Sequence, residues 1–395
     1  MISVEQALGH LFQLVSPLGV EMVPIDQAGG RVLARPVAAR LTQPPFDASS
    51  MDGYAIRAED ARPGATLKVS GESAAGRRHQ DPVRPGEAVR IFTGAPMPPG
   101  ADRVVIQEDV ERKGGTIVLR AAPGPGENVR PAGNDFRLGD TLSAPRRLGP
   151  AALALAAAMN HAELPCHRRP EIAVISTGDE LVEPGQAPGP DQIVASNVYG
   201  LKAMLEAEGA RVRRLPIAGD TIEELQAVLD MARGTDMIVT IGGASAGDRD
   251  VIARAAETLG IEQDFYKVAM RPGKPLMAGR LAGTPMIGLP GNPVSALVCG
   301  VVFVVPTVRV MMGLPAAAQP RDRVPLAADV GPNGPREHYM RAMLEAGSDG
   351  AWRVRPFARQ DSALLSVLSA ADALLVRPPG DAPRRAGEVV EIIRI

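Results

Sequence analysis

The sequence predicts a multidomain protein of α/β plus β class, and three observations carry that prediction. At 395 residues the chain is too long for one compact core, so two to four domains are expected. Residues 170–313 alternate β-branched runs with segments of helical period, the pattern of βαβ units and a parallel sheet covered on both faces. The stretches on either side break into short β-like runs separated by Gly and Pro, the texture of small β domains.

Taken in order, residues 1–40 open with Val4, Ala7, Leu8, Leu11 and Phe12 at helical spacing. From 41 to 145 come "TLKVSG", "AVRIFTG", "DRVVIQEDV" and "GTIVLRA", a small mainly-β unit. Within it, "DASSMDGYAIR" (47–57) reads as a turn, since Asp-Gly favours positive φ at the glycine. Phe46 and Tyr54 flank that turn in a chain that is only 3% aromatic, an unexplained concentration. "LGPAALALAAAMNH" (148–161) is a helix with Pro150 in its first turn.

The α/β stretch begins with the apolar strand "EIAVIST". "SNVYGLKAMLEAEG" is a helix closed by Gly209, and "DTIEELQAVLDMARG" is a helix with Asp220 and Glu223 in capping-box spacing. "DMIVTIGG" and "PMIGLPG" are strands, and "DVIARAAETLG" lies between them as a helix. The run "VSALVCGVVFVVPTVRVMM" (294–312) is interrupted by Pro306 and followed by Arg309. About a dozen apolar positions precede the break, short of the roughly 20 a membrane span needs, which predicts a buried core helix. After 313 the β texture returns and ends in "EVVEIIRI", a small barrel or sandwich.

Composition narrows the function classes. Lys plus Arg is 43 against 45 for Asp plus Glu, so no positive excess points to nucleic acid or a membrane surface. Cys166 and Cys299 are the two cysteines and histidines number five, which disfavours a disulfide framework or a zinc site. The start "MISVEQALGHLF" lacks the features of a signal peptide, so a cytoplasmic protein is expected.

Ligands of an open parallel sheet bind beyond the carboxyl ends of its strands. Three loops leave such ends: "STGDE" (176–180), "GGASAGDRD" (242–250) and "LPGNP" (289–293). Gly242, Gly243, Gly247 and Gly291 would let backbone N–H groups approach an anion. Asp179, Glu180, Asp248 and Asp250 would repel that anion unless a divalent cation intervened, so a phosphate-bearing ligand with magnesium fits. The same carboxylates also suit helix capping. Lys267, Arg271 and Lys274 in "YKVAMRPGKP" suit an oxyanion, or form a solvated basic turn. No P-loop, dinucleotide fingerprint, nucleophile elbow or cysteine signature is present.

"PPFDASSMDGYAIR", "RIFTGAPMP", "ENVRPAGND", "STGDEL", "IGGASAGDRD", "KVAMRPGKP" and "GLPGNPVSA" occur in an order and spacing that resembles the MoeA family of molybdopterin molybdenumtransferases, related to the gephyrin E domain. The resemblance runs from about residue 3 to the end. It implies an elongated linker domain (1–40 with 136–168), an inserted mainly-β domain (41–135), a MogA-like α/β domain with a parallel-rich sheet (169–315) and a C-terminal small β barrel (316–395).

The implied reaction converts adenylyl-molybdopterin and molybdate to molybdenum cofactor and AMP with Mg2+, in a homodimer whose β-domain turn reaches the partner's cleft. Transient contact with the molybdopterin adenylyltransferase is also implied, with no nucleic acid and no membrane. By the same resemblance Asp52, Glu180 and Asp250 are catalytic, with Glu180 and Asp250 holding the metal. Thr93, Asp135, Asp236, Lys267, Arg271, Lys274, Pro290, Pro293 and Ser362 bind substrate. Arg271 stands where Lys is often found, and Ala244 and Ala246 where larger residues are common. Two other activities share the fold: a MogA-like adenylyltransferase and a gephyrin-like scaffold.

Overall fold

A computed structural model describes residues 1–120, 127–242, 258–347 and 349–395. The first helix, Val4–Leu14, starts with a full capping box: Ser3 accepts from Gln6 N, and Gln6 accepts from Ser3 N. Its buried face joins the core of the α/β unit, where Val4, Leu8 and Leu11 pack with Ile172, Val174 and Phe303. Burying those three side chains stabilises the join by about 1.5–3 kcal/mol each. Within the expected grouping of 1–40 with 136–168, this helix packs on the α/β unit; an apolar stripe says that a face is buried, not against what.

Strands Val20–Pro24, Glu163–His167, Val32–Leu33 and Arg146–Arg147 then form a four-stranded sheet beside helix Pro150–Ala158. Phe136, Leu33, Leu164 and Cys166 lie in their shared core. Between them sits a six-stranded sheet in the order 103–106, 53–56, 87–91, 66–73, 116–119, 110–113. Gly53 opens strand Gly53–Ile56 rather than turning with positive φ. It must be glycine for a different reason: a Cβ would lie 2.0 Å from the Val105 carbonyl oxygen.

The α/β unit holds a six-stranded sheet in the order 211–214, 171–176, 237–241, 284–289, 277–281, 261–266. Its first four strands are parallel, 277–281 runs opposite to them, and 261–266 again runs in their direction. Ser176 pairs with Ile241 and Ile241 with Leu289, so three strands end level. Helix Asn197–Ala207 ends at Gly209, whose φ of +106° is the left-handed C-terminal turn expected there. Helix Ile222–Met231 is capped one residue later than expected: Thr221, not Asp220, accepts from Glu224 N.

Pro306 does not end the long apolar helix. A π-turn at Gly300–Val304 widens the backbone just ahead of it, and the helix runs on from Pro293 to Met311. Length and composition would let this segment cross a membrane, yet 83% of its apolar stretch is buried inside the protein. It packs on helix Asn197–Ala207, where a Cβ on Gly300 would lie 2.9 Å from Leu201 Cδ1.

The last unit closes into a small barrel. Strands 322–325, 389–394, 373–377, 337–346 and 352–356 pair in turn, and a Leu326–Val354 bridge joins the ends. Met270–Arg271 pairs with Glu337–His338, seaming the barrel to the α/β unit.

Candidate active site

A cavity of about 420 Å³ opens at the carboxyl ends of the parallel strands. The segment after strand Glu171–Ser176 supplies Thr177, Gly178 and Glu180. Gly242 follows strand Met237–Ile241, and Pro290–Pro293 follows strand Thr284–Leu289. Asp220, Leu181, Ile193, Val194 and Asn197 complete much of the rim.

Backbone crowding explains the glycines. Gly242 has φ +96°, and a Cβ there would lie 2.6 Å from the Thr177 carbonyl oxygen. Gly291 comes within 3.6 Å of the Gly242 Cα by the same construction, so the two loops touch through backbone. At Gly178 an added Cβ would meet the Glu180 carboxylate at 2.4 Å; Glu180 folds back over that glycine. Its carboxylate has no hydrogen-bond partner among the described residues, and neither does that of Asp220, which the late cap leaves free. Asp179, by contrast, is structural: its Oδ1 accepts from Asp220 N at 3.0 Å. The buried Thr177 Oγ1, in the wall, also lacks a partner among the described residues.

The expected residues fall into four groups. Glu180, Pro290 and Pro293 line the cavity. Lys267, Arg271 and Lys274 lie on the adjoining segment that contributes Pro275 to its wall. Lys267 Nζ sits 4.8 Å from the Tyr266 ring centroid. Gly273 anchors this segment, since a Cβ there would lie 2.5 Å from Cys299 Sγ. Ser362 is brought alongside, its carbonyl accepting from Val294 N at 3.1 Å in the first turn of the long helix.

Asp52, Thr93 and Asp135 form the second group, on the inserted β unit and beside it. Thr93 donates twice to Asp52 Oδ1, from N and from Oγ1, each at 2.8 Å. Those two bonds, then the charge of Arg90, hold the Asp52 carboxyl below its ordinary range. Among the described residues, Asp52 and Thr93 make no hydrogen bond to the cavity lining. Asp135 is exposed, and its backbone N donates to Gln43 O at 3.1 Å.

Asp236 is the third case and a correction. It precedes strand Met237–Ile241, which puts it at the amino end of the sheet, opposite the cavity. Arg168 grips it with two bonds of 2.8 and 2.6 Å, and Glu171 N donates at 2.7 Å. With its acceptors taken, Asp236 ties strand starts together. Asp250 makes the fourth case: with Asp248, Gly243, Gly247, Ala244 and Ala246, and most of the expected helix 250–260, it lies outside the described residues.

Sequence reasoning missed Arg341. It is fully buried; Nη2 donates to Asp361 O at 3.1 Å, while Nε and Nη1 have no partner among the described residues. Burial and then the charge of Arg271 push its pKa down. His338, also buried, is pushed to about 4, by burial first and then by Arg271, Arg341, Arg377 and Arg336. The seam thus gathers Arg271, Arg336 and Arg341 around His338, together with Arg377, which Asp381 neutralises. No periodicity signals it: strand Glu337–Ala346 buries residues of both parities, His338 and Ala342 as well as Tyr339 and Arg341, so nothing in its pattern sets Arg341 apart.

Comparison with known proteins agrees along the whole chain. Residues 2–160 match the MoeA N-terminal region (domains I and II), 173–310 a probable molybdopterin binding domain, and 323–395 the MoeA C-terminal region (domain IV). Molybdopterin molybdenumtransferase 2 of Mycobacterium tuberculosis is 43% identical, over 82% of this chain and 83% of its own. The Haemophilus influenzae molybdopterin molybdenumtransferase is 34% identical over 99% of this chain and 98% of its own. A crystal structure of the molybdopterin biosynthesis MoeA protein from Pyrococcus horikoshii superposes with a TM-score of 0.85 at 26% identity, covering 100% of both chains. Fold, site and relatives concur: the chain belongs to the MoeA family of molybdopterin molybdenumtransferases.

Proposed function

We propose that this protein inserts molybdenum into molybdopterin, converting adenylyl-molybdopterin and molybdate to molybdenum cofactor and AMP. The observation that carries this is the cavity at the level strand ends, which glycine-lined backbone and the carboxylates of Glu180 and Asp220 line and which the segment carrying Lys267, Arg271 and Lys274 adjoins through Pro275. Family matches to all parts of the chain, rather than to the α/β unit alone, disfavour a MogA-like adenylyltransferase, and relatives named molybdopterin molybdenumtransferase favour an enzyme over a bare scaffold.

Magnesium fits the donors present. Glu180 and Asp220 offer hard oxygen ligands on one wall, and no ready-made group of three metal-binding side chains exists among the described residues. Magnesium characteristically uses one or two carboxylates plus substrate phosphate oxygens. Glu180 would hold it, with Asp250, and it would offset the charge of the phosphoanhydride. Without a cation between them, a carboxylate 4 Å from a phosphate would be repelled by about 4 kcal/mol.

The protein's own groups do the rest. The Gly291 backbone N–H, which has no partner among the described residues, would receive a phosphate oxygen, while Gly178 and Gly242, whose N–H groups donate to Ala218 O and Leu289 O, keep the wall open to a close approach. Lys267, Arg271, Lys274 and Arg341 balance phosphate and molybdate charge, which makes Arg341's lone burial tolerable. Ser362, Pro290 and Pro293 shape the wall. Asp52, with Thr93 and Asp135, would orient the attacking oxygen from a second copy of the chain; that none of their hydrogen bonds among the described residues reaches the cavity is compatible with this homodimer. A cytoplasmic location accords with two free, buried cysteines, and transient contact with the adenylyltransferase that supplies the substrate is part of the proposal.

Incubation with adenylyl-molybdopterin, Mg2+ and molybdate should release AMP without added ATP. AMP no higher than in a protein-free control would overturn the proposal, and consumption of ATP would indicate the adenylyltransferase.

A further inference from the structure

We infer that Arg90 is a positioning residue for the Asp52 carboxylate, a guanidinium clamped between two aromatic faces that fixes the turn carrying Asp52. It rests on the role given to Asp52 above. The Arg90 Cζ lies 5.1 Å from the Tyr54 ring centroid and 4.8 Å from that of Phe92. Nη1 donates to Gly53 O at 3.0 Å and Nη2 to Gln107 Oε1 at 2.7 Å. Gln107 N in turn donates to Asp52 O at 3.1 Å.

Arg90 is thus tied to Gly53 and Tyr54, which follow Asp52, and through Gln107 to the Asp52 carbonyl. One short segment, Arg90–Thr93, delivers both this clamp and the two bonds that occupy Asp52 Oδ1. Oδ2 is left without a partner among the described residues. Its direction is set by the turn, and the turn is held by Arg90. The scarce aromatics near residue 50 therefore have a purpose: Tyr54 and Phe92 sandwich a cation, each face contributing about 0.5–2 kcal/mol. Phe46 stacks separately, 5.2 Å from Arg78 Cζ.

A plain hairpin staple would have the same contacts, so the test must separate positioning from stability. Arg90→Ala, Asp52→Asn and the double variant are compared in AMP release by the full-length protein, with thermal midpoints. Arg90→Ala should lower kcat about 10- to 100-fold with KM for adenylyl-molybdopterin changed less than about 3-fold. Arg90→Lys, which keeps the charge over the rings, should recover part of that loss. In the Asp52→Asn background Arg90→Ala should cost almost nothing further. Unchanged kcat in Arg90→Ala, or a loss that multiplies undiminished onto Asp52→Asn, overturns the inference while the role of Asp52 stands. Normal turnover by Asp52→Asn alone overturns that role and this inference with it. If Arg90→Ala does not fold, Arg90→Lys carries the same cycle, with the same two outcomes.

Discussion

The central sheet has carboxylates at both of its ends, and they differ in whether their charge is answered. At the amino end Asp236 is gripped by Arg168 and by Glu171 N. Close by, Glu208 is held by Arg309 at 2.6 Å and by Arg147 at 2.8 Å. At the carboxyl end Glu180 and Asp220 have no protein partner among the described residues, and in the barrel seam Arg341 is a buried cation whose Nε and Nη1 have no partner among the described residues. The amino end is electrostatically complete and the carboxyl end is not. Groups left unanswered by the protein await something from outside it.

The largest expected effect lies at the incomplete end. Glu180→Ala should lower AMP release by roughly 100-fold or more, the scale of losing one preorganised charged contact. Because Glu180 is exposed and has no partner among the described residues, the thermal midpoint of the variant should stay near wild type. Loss of activity together with stability would break the distinction between the two ends.

Arg341→Met sharpens it. Replacing a buried, half-satisfied guanidinium with an apolar chain should leave stability equal or raised, while KM for molybdate rises about 10-fold or more, one charge-assisted contact being worth about 1.5–3 kcal/mol. A destabilised protein with normal molybdate saturation would make Arg341 a structural residue.

At the complete end the pattern should invert. Asp236→Asn removes the acceptor charge under Arg168 and should cost about 1–3 kcal/mol of folding stability, with turnover per folded molecule within about 2-fold. Denaturant titration alongside the AMP assay checks both halves.

The smallest effect concerns acid. Burial alone would raise the Glu208 carboxyl, but Arg309 and Arg147 outweigh it and the net shift is downward from 4.5. The stability it contributes is therefore full above pH 4.5 and lost as pH falls through the lower folded value. Glu208→Gln should flatten that part of the acid-unfolding curve and leave the neutral-pH rate alone.

Much of this was legible in the sequence, for identifiable reasons. Strands 171–176, 237–241 and 284–289 are apolar runs closed by glycine or small-residue turns, and such runs cannot sit anywhere but a covered sheet. The loops after them follow from topology. Asp236 went astray although its place was readable: a residue that opens a parallel strand lies at the end away from the ligand. Asp220 and Thr221 both suit an N-cap, and only geometry shows which one takes it. Gly53 was read as a turn because local rules cannot see the Val105 carbonyl, 52 residues further on, that excludes a Cβ. The continuity of the long helix past Pro306 depended on a π-turn that no periodicity announces.

The most direct measurement is the position of adenylyl-molybdopterin in a crystal of this protein. Density for the phosphoanhydride against Thr177, Gly242 and Glu180 is the predicted result. An empty strand-end cavity, with the nucleotide bound at the Asp236 end or elsewhere, would contradict the account.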